Sequence, residues 1–142
     1  MSKAVFEGDN FAAMLGITQA EATCDGCGVV VMPFEEKHKN RLRAAHGGAI
    51  FTLADMAFAA ACKNLGIHAV TSQSSISYLA PGLESPLRAE ARPVRIGRHL
   101  AIFDVVVSDG SGRAIAKALL TGYIHGPLDK ELFDELGDRH ED

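Results

Sequence analysis

HGGAIFTLADMAFAAACKNLG, residues 46–66, loses its turn residues after Gly48 and then holds a long run of good helix formers until Asn64 and Gly66 end it. Alanine, leucine and methionine cost little inside a helix, and a glycine just past the last turn stops one. The stretch therefore predicts the one long helix of the chain. Its apolar residues occupy nearly every side, so most of its surface has to be covered by something else.

The sequence that follows supplies the cover. AVTSQSSISYLAP (69–81), PLRAEARPVRIG (86–97), HLAIFDVVVSDG (99–110) and RAIAKALLTGYIHG (113–126) have strand chemistry, and Pro81-Gly82, Gly97-Arg98 and Asp109-Gly110-Ser111-Gly112 separate them. Four strands in series with short turns between them predict an antiparallel meander. One long helix wrapped by a curved antiparallel sheet is an α+β architecture. Upstream, DNFAAMLG (9–16) has an aspartate suited to capping and apolar residues at 11, 14 and 15, which predicts a short leading helix. The cluster Val29-Val30-Val31 and the turn Asp25-Gly26-Cys27-Gly28 predict a strand pair or a bulged strand within residues 20–35, and Glu35 to Arg43 predicts a loop. DKELFDELG (129–137) predicts a surface helix or a frayed end.

A chain of 142 residues is the size of one ordinary domain, expected to span 1–142 with its core at about 9–125 and a short tail from 126. Its 47% hydrophobic and 23% charged residues are those of a folded globular protein. A net charge of −4 gives no general attraction to phosphate backbones, so nucleic acid is not an expected partner and any anion site has to be local. Met1 to Asn10 lacks the apolar core of a signal peptide, and no later stretch reads as a membrane span. The expected location is the cytoplasm, without membrane association. There the three cysteines, Cys24, Cys27 and Cys62, are expected to stay reduced, and Cys24-x-x-Cys27 is half a zinc pattern with no second half. No metal is expected.

Between Gly47 and Cys62 the only ionisable side chain besides the thiol is Asp55, set among Ala, Leu, Met and Phe in a helix that aspartate does not favour. A structural aspartate bonded to backbone or serine is one account; a catalytic carboxylate tuned by desolvation is the preferred one. His46-Gly47-Gly48 stands where the helix begins, and glycines there let backbone N–H groups approach a ligand while the helix dipole favours developing negative charge. That turn is a candidate oxyanion hole. Residues 47 and 55 lie about 12 Å apart along a helix, whereas a reacting carbonyl needs both groups near about 3 Å. If both act on one substrate, Gly47 of one subunit has to work with Asp55 of another across a symmetric dimer. Ala49, Ala57, Ala59 and Ala60 offer a small face for that packing.

Asn40 six residues before His46, HGGAIFTLAD with Asp55 nine residues after it, and SISYLAPG at 75–82 together resemble the hotdog-fold acyl-CoA thioesterases of the phenylacetate-degradation type. The resemblance runs over roughly residues 9–125. It implies a hotdog fold and hydrolysis of acyl-CoA thioesters, with aromatic acyl groups such as phenylacetyl or hydroxyphenylacetyl, or medium-chain groups, leaving as the free acid. It implies that the Gly47 N–H polarises the thioester carbonyl, that Asp55 activates water or attacks directly, and that Asn40 and His46 orient these groups. A hydroxyl opposite the aspartate is also implied, for which Thr71 and Ser72 both stand at about the right position.

Such chemistry needs no metal or redox cofactor, and coenzyme A enters only as part of the substrate. Gly48 would border the substrate, and Phe51, Phe58 and Leu79 would line an apolar acyl pocket. The basic segment from Arg88 through Arg92, Arg95, Arg98 and His99 would meet the nucleotide phosphates, Arg95 and Arg98 above all, although solvated charges at strand ends would look the same. The expected assembly is a homodimer that pairs into a dimer of dimers, a homotetramer. Two other functions fit the same sequence: a hotdog-fold enoyl-thioester hydratase or dehydratase, and a non-catalytic acyl-CoA-binding module. Thiol release separates the first reading from both.

Overall fold

In the computed structural model, which describes residues 6–127, the long helix α2 runs Gly47–Asn64. His46 caps it in an extended conformation, and Gly66 in the left-handed region, φ +71°, turns the chain out of it. The short leading helix α1, Asn10–Leu15, is capped by the Asp9 side chain, which accepts from the Ala12 N–H, and is closed by Gly16 at φ +77°.

A six-stranded antiparallel sheet covers α2. Its strands are β1 (Thr18–Ala20), β2 (Gly28–Met32), β3 (Ile67–Tyr78), β4 (Leu87–Ile96), β5 (Leu100–Ser108) and β6 (Ala114–Pro127), in spatial order β1-β2-β4-β5-β6-β3. The hotdog arrangement implied by the resemblance is therefore present. Of the strand pair or bulged strand expected in residues 20–35, only β2 lies fully there; its partner β1 stands upstream, at Thr18–Ala20. The stretch Glu35 to Arg43 is a loop that contains one tight turn of helix, Glu36–His38.

The plain meander is corrected. β4, β5 and β6 follow one another as hairpin neighbours, but β3 pairs with β6 at the far edge and not with β4. The cause lies in residues 79–86, which do not form a hairpin. Their Leu83 and Glu84 N–H groups donate to the buried carboxylate of Asp109, the Gly110 N–H donates to the Glu84 carbonyl, and the Leu79 N–H donates to the Ile115 carbonyl. Tied to the β5–β6 turn in this way, the segment carries the chain across the sheet before β4 begins.

Inward-facing strand residues fall into small and large groups. Ala89, Ala91, Ala101 and Ala116 leave room for the helix, while Phe103, Val105, Val107 and Leu120 fill the space beside it. At Gly28 the strand meets the helix backbone itself: a Cβ there would overlap the backbone of Ala57 and Ala61 on α2. The predicted small face of α2 is also corrected. Ala57 and Ala60 are fully buried within the core cluster and Ala49 nearly so; the less buried stripe of the helix is Phe51, Thr52, Asp55, Ala59 and Lys63.

The expectation of reduced cysteines fails for two of the three. Cys24 and Cys27 form a disulfide, because Gly26 at φ +79° folds the intervening turn and brings their Cα atoms to 5.2 Å. The predicted tail helix at 129–137 lies outside the described residues.

Candidate active site

The N-terminus of α2 is built to leave one amide open. The Ala49 and Ile50 N–H groups donate to the His46 carbonyl at 3.0 Å, and the Gly48 N–H donates to His46 Nδ1 at 2.9 Å. Because Nδ1 accepts, a neutral His46 carries its proton on Nε2. Gly47 is the first helical residue, so its N–H has no acceptor within the helix. No partner outside the helix takes it among the described residues.

The incoming chain is held just as firmly. The His46 N–H donates to the His38 carbonyl at 2.7 Å and the Ala45 N–H to the Gly82 carbonyl at 2.8 Å. Asn40 folds the loop ahead of them: its Oδ1 accepts from the N–H groups of Leu42 at 2.9 Å and Ala44 at 3.2 Å, which lets Arg43 adopt φ +67°. Asn40 thus shapes the approach to the His-Gly-Gly turn. His38, only 1% exposed, accepts the Glu35 N–H at Nδ1 and donates from Nε2 to the Leu15 carbonyl at 2.8 Å. Sequence reasoning missed it, because a histidine in the charged run FEEKHKN carries no sign of burial.

Asp55 lies midway along α2, half-buried on the less covered stripe. Its Oδ1 accepts the Thr71 hydroxyl at 2.7 Å, and Oδ2 has no partner among the described residues. Ser72 points elsewhere, donating to the Thr121 carbonyl at 3.1 Å. The register of β3 with β6 slips between Thr71 and Gln73, so Thr71 pairs with Gly122 and faces the helix, as Ser74, Ile76 and Tyr78 do farther along. Cys62, two turns on from Asp55, is no rival nucleophile: burial, with the Asp55 charge adding to it, pushes its thiol up to about 12.

Tyr78, the last residue of β3, reaches the other end of the helix. Its hydroxyl donates to the Gly47 carbonyl at 2.9 Å, and its ring lies over the Gly47 Cα. SISYLAPG marked this segment in the sequence, but nothing in it pointed to a contact with Gly47.

Not all of the predicted pocket residues meet. Phe58 is corrected from pocket to core: it is 2% exposed, packs edge-on against Phe103 with ring centroids 5.3 Å apart, and lies under Gly122. Three positions after Asp55 is only about 60° around the helix axis, but that turn is enough to carry Phe58 from the less covered stripe to the sheet side. Phe51 is half-buried on the same stripe as Asp55, and Leu79 is exposed directly after Tyr78. Arg88 and Arg92 are occupied by Glu90, at 3.1 Å and 2.6 Å. Arg95 and Arg98 are exposed and make no ion pair among the described residues.

A helix wrapped in this sheet, with a hydroxyl-held carboxylate within it and an open amide at its start, has the layout of the hotdog thioester hydrolases. The chain belongs to the thioesterase superfamily, whose model matches residues 43–116. It is 33% identical to the acyl-coenzyme A thioesterase PaaI of Escherichia coli over 114 residues, 80% of this chain and 81% of that protein. The structure of E. coli PaaI, a protein of the phenylacetic acid degradation operon, superposes with a TM-score of 0.80 at 31% identity, covering 88% of this chain and 91% of that one. A hypothetical thioesterase of Streptococcus pneumoniae, solved with coenzyme A, superposes equally well, with a TM-score of 0.80, 31% identity, and 90% and 100% covered. Human acyl-coenzyme A thioesterase 13 is 28% identical over 86% of this chain and 90% of its own length. No helix among the described residues is long and apolar enough to cross a membrane.

Proposed function

We propose that this protein hydrolyses acyl-CoA thioesters to the free acid and coenzyme A in the cytoplasm, with phenylacetyl, hydroxyphenylacetyl or medium-chain acyl groups as substrates. The observation that carries the reading is the division of labour on α2: a Gly47 N–H at its start and an Asp55 oxygen within it that have no partner among the described residues, the other Asp55 oxygen being held by Thr71. Thioester hydrolysis asks for those two groups, a donor for the developing oxyanion and a base or nucleophile. Gly47 polarises the carbonyl. Asp55 activates water or attacks the carbon itself, and Thr71 fixes its orientation. Asn40, His46 and Gly48 hold the donor turn, and no cofactor takes part. Coenzyme A in the S. pneumoniae relative and the names of the PaaI and human relatives support an acyl-CoA substrate.

Gly47 and Asp55 of one chain stand about 12 Å apart along the helix, too far to share one carbonyl. The reading therefore joins Gly47 of one protomer with Asp55 of a second in a homodimer, and two dimers in a tetramer. β3 supports it, because this twelve-residue strand is a sheet edge next to the uncovered stripe of α2, open to pairing with a second copy. Phe51 and Leu79 would border the acyl group, and Arg95 with Arg98 would meet the nucleotide.

The test is thiol release from phenylacetyl-, hydroxyphenylacetyl-, benzoyl- and hexanoyl-CoA by the wild type and by Asp55→Ala. Release by the wild type alone supports the reading. Water addition to an enoyl-CoA with the thioester intact would make the protein a hydratase, and binding without turnover a sensor; either would end it.

A further inference from the structure

We infer that Tyr78 is a positioning residue for the thioester hydrolysis proposed above, anchoring the Gly47 carbonyl and through it the backbone torsions that aim the Gly47 N–H at the thioester; the inference rests on that reading. Gly47 is poorly constrained by its own chemistry. It has no side chain, it begins the helix, and it follows a residue in extended conformation, so nothing within the residue fixes the angle of its N–H. An oxyanion donor works only when its direction is set before the charge develops.

The two peptide units that flank the Gly47 Cα are pinned from outside. The unit before it is held through the His46 carbonyl, which accepts the Ala49 and Ile50 N–H groups. The unit after it is held at both ends, by the Tyr78 hydroxyl on the Gly47 carbonyl at 2.9 Å and by His46 Nδ1 on the Gly48 N–H at 2.9 Å. The phenol also fills the space of the missing side chain: Tyr78 Cζ and Oη lie 3.3 Å from where a Gly47 Cβ would be. Tyr78 stands on a rigid element, since it pairs with Ala116 of β6.

Tyr78 is 52% exposed, so burial does not explain a tyrosine here. A phenylalanine would give the same packing and lose only the hydrogen bond to Gly47. One strand thereby serves both reacting groups of its chain, with Thr71 on the carboxylate and Tyr78 on the carbonyl of the residue that supplies the amide.

The experiment compares Tyr78→Phe and Tyr78→Leu with the wild-type oligomer in steady-state thiol release from the best acyl-CoA of the panel. Inhibition by coenzyme A reports binding and thermal unfolding reports the fold. Removing an oxyanion donor outright costs about 10²–10³ in kcat, and loosening one forfeits part of that. Tyr78→Phe is therefore expected to lower kcat roughly tenfold, with KM, coenzyme A inhibition and Tm unchanged. Tyr78→Leu, which also removes the ring, is expected to lower kcat further. Wild-type kcat in Tyr78→Phe overturns the inference, as does a rise in KM at constant kcat, which would make the tyrosine a binding group. A wild type that releases no thiol from any thioester overturns the hydrolase reading itself, and the positioning role falls with it.

Discussion

A proline at Gly47 removes the proposed catalytic donor and leaves α2 standing. His46 sits at φ −64° and ψ 136°, the extended conformation that a residue before proline prefers. Gly47 is the first helical position, where proline is well accommodated because the N–H it lacks has no acceptor in the helix. The new Cβ would meet Tyr78 Cζ and Oη at 3.3 Å, and that half-exposed side chain can yield a few tenths of an ångström. Restricting the unfolded chain returns about 0.4–1 kcal/mol, so the net change in stability should stay within about 1 kcal/mol and the shift in Tm within a few degrees. Activity should respond differently: loss of one oxyanion donor costs about 10²–10³ in kcat, or roughly 3–4 kcal/mol. Gly47→Ala is the control, since it adds the same Cβ and keeps the N–H. Thiol release by both variants, with thermal melts alongside, measures the difference. A folded proline variant whose kcat lies within about threefold of the alanine variant's would refute the assignment of this amide as the donor.

Four other outcomes follow from the same structure. Thr71→Val should lower kcat about tenfold by freeing Asp55, whereas Ser72→Ala should be near wild type, and equal effects in thiol release would sink the distinction. Alanine at Arg95 and Arg98 together should raise KM for acyl-CoA about tenfold at nearly constant kcat; an unchanged KM removes these residues from the nucleotide site. Gly28→Ala should cost on the order of 3 kcal/mol, since the backbone of Ala57 and Ala61 cannot move aside for a side chain, and a fall in Tm of about 10 °C would show it. Asp109, 4% exposed, is held down to about 2, first by the Ser111 hydroxyl and then, against burial, by the N–H groups of Leu83, Ser111 and Glu84. Its pKa is lower folded than unfolded, so its contribution of about 2 kcal/mol is complete above about pH 4 and is lost as pH falls toward about 2. Urea midpoints between pH 2 and pH 6 should show that slope in the wild type and a flatter one in Asp109→Asn.

The architecture was legible because its signals are local. The helix formers between Gly48 and Asn64, and the turn residues at Pro81-Gly82, Gly97-Arg98 and Asp109 to Gly112, mark where elements begin and end. Strand order was not legible. Whether β3 lies beside β4 or beyond β6 depends on how residues 79–86 attach to the Asp109 turn, and those are hydrogen bonds between distant parts of the chain. The disulfide escaped for another reason: a compartment argument applied to three cysteines ignored that Gly26 can fold Cys24 onto Cys27 within four residues. Phe58 stands only about 60° around the helix axis from Asp55, yet that turn carries it off the less covered stripe and under the sheet, and no sequence window shows where the sheet's cover ends.

The choice between Thr71 and Ser72 shows where pattern reading stops for this site. Side chains on a strand alternate, and Ser74, Ile76 and Tyr78 pair with Leu120, Ala118 and Ala116, whose side chains are buried. Running that alternation backwards puts Ser72 on the helix side and Thr71 on the outside. The slip in register between Thr71 and Gln73 inserts one residue and reverses the order, so the threonine faces Asp55 and the serine turns to the Thr121 carbonyl. Neither residue is a glycine that would announce an irregular strand, and the run Thr71-Ser72-Gln73-Ser74-Ser75 offers polar residues equally able to sit at it. The same inserted residue lets Thr71 and Tyr78, an odd number of positions apart, both face α2 and reach its two functional positions. On a regular strand only one of the two could do so.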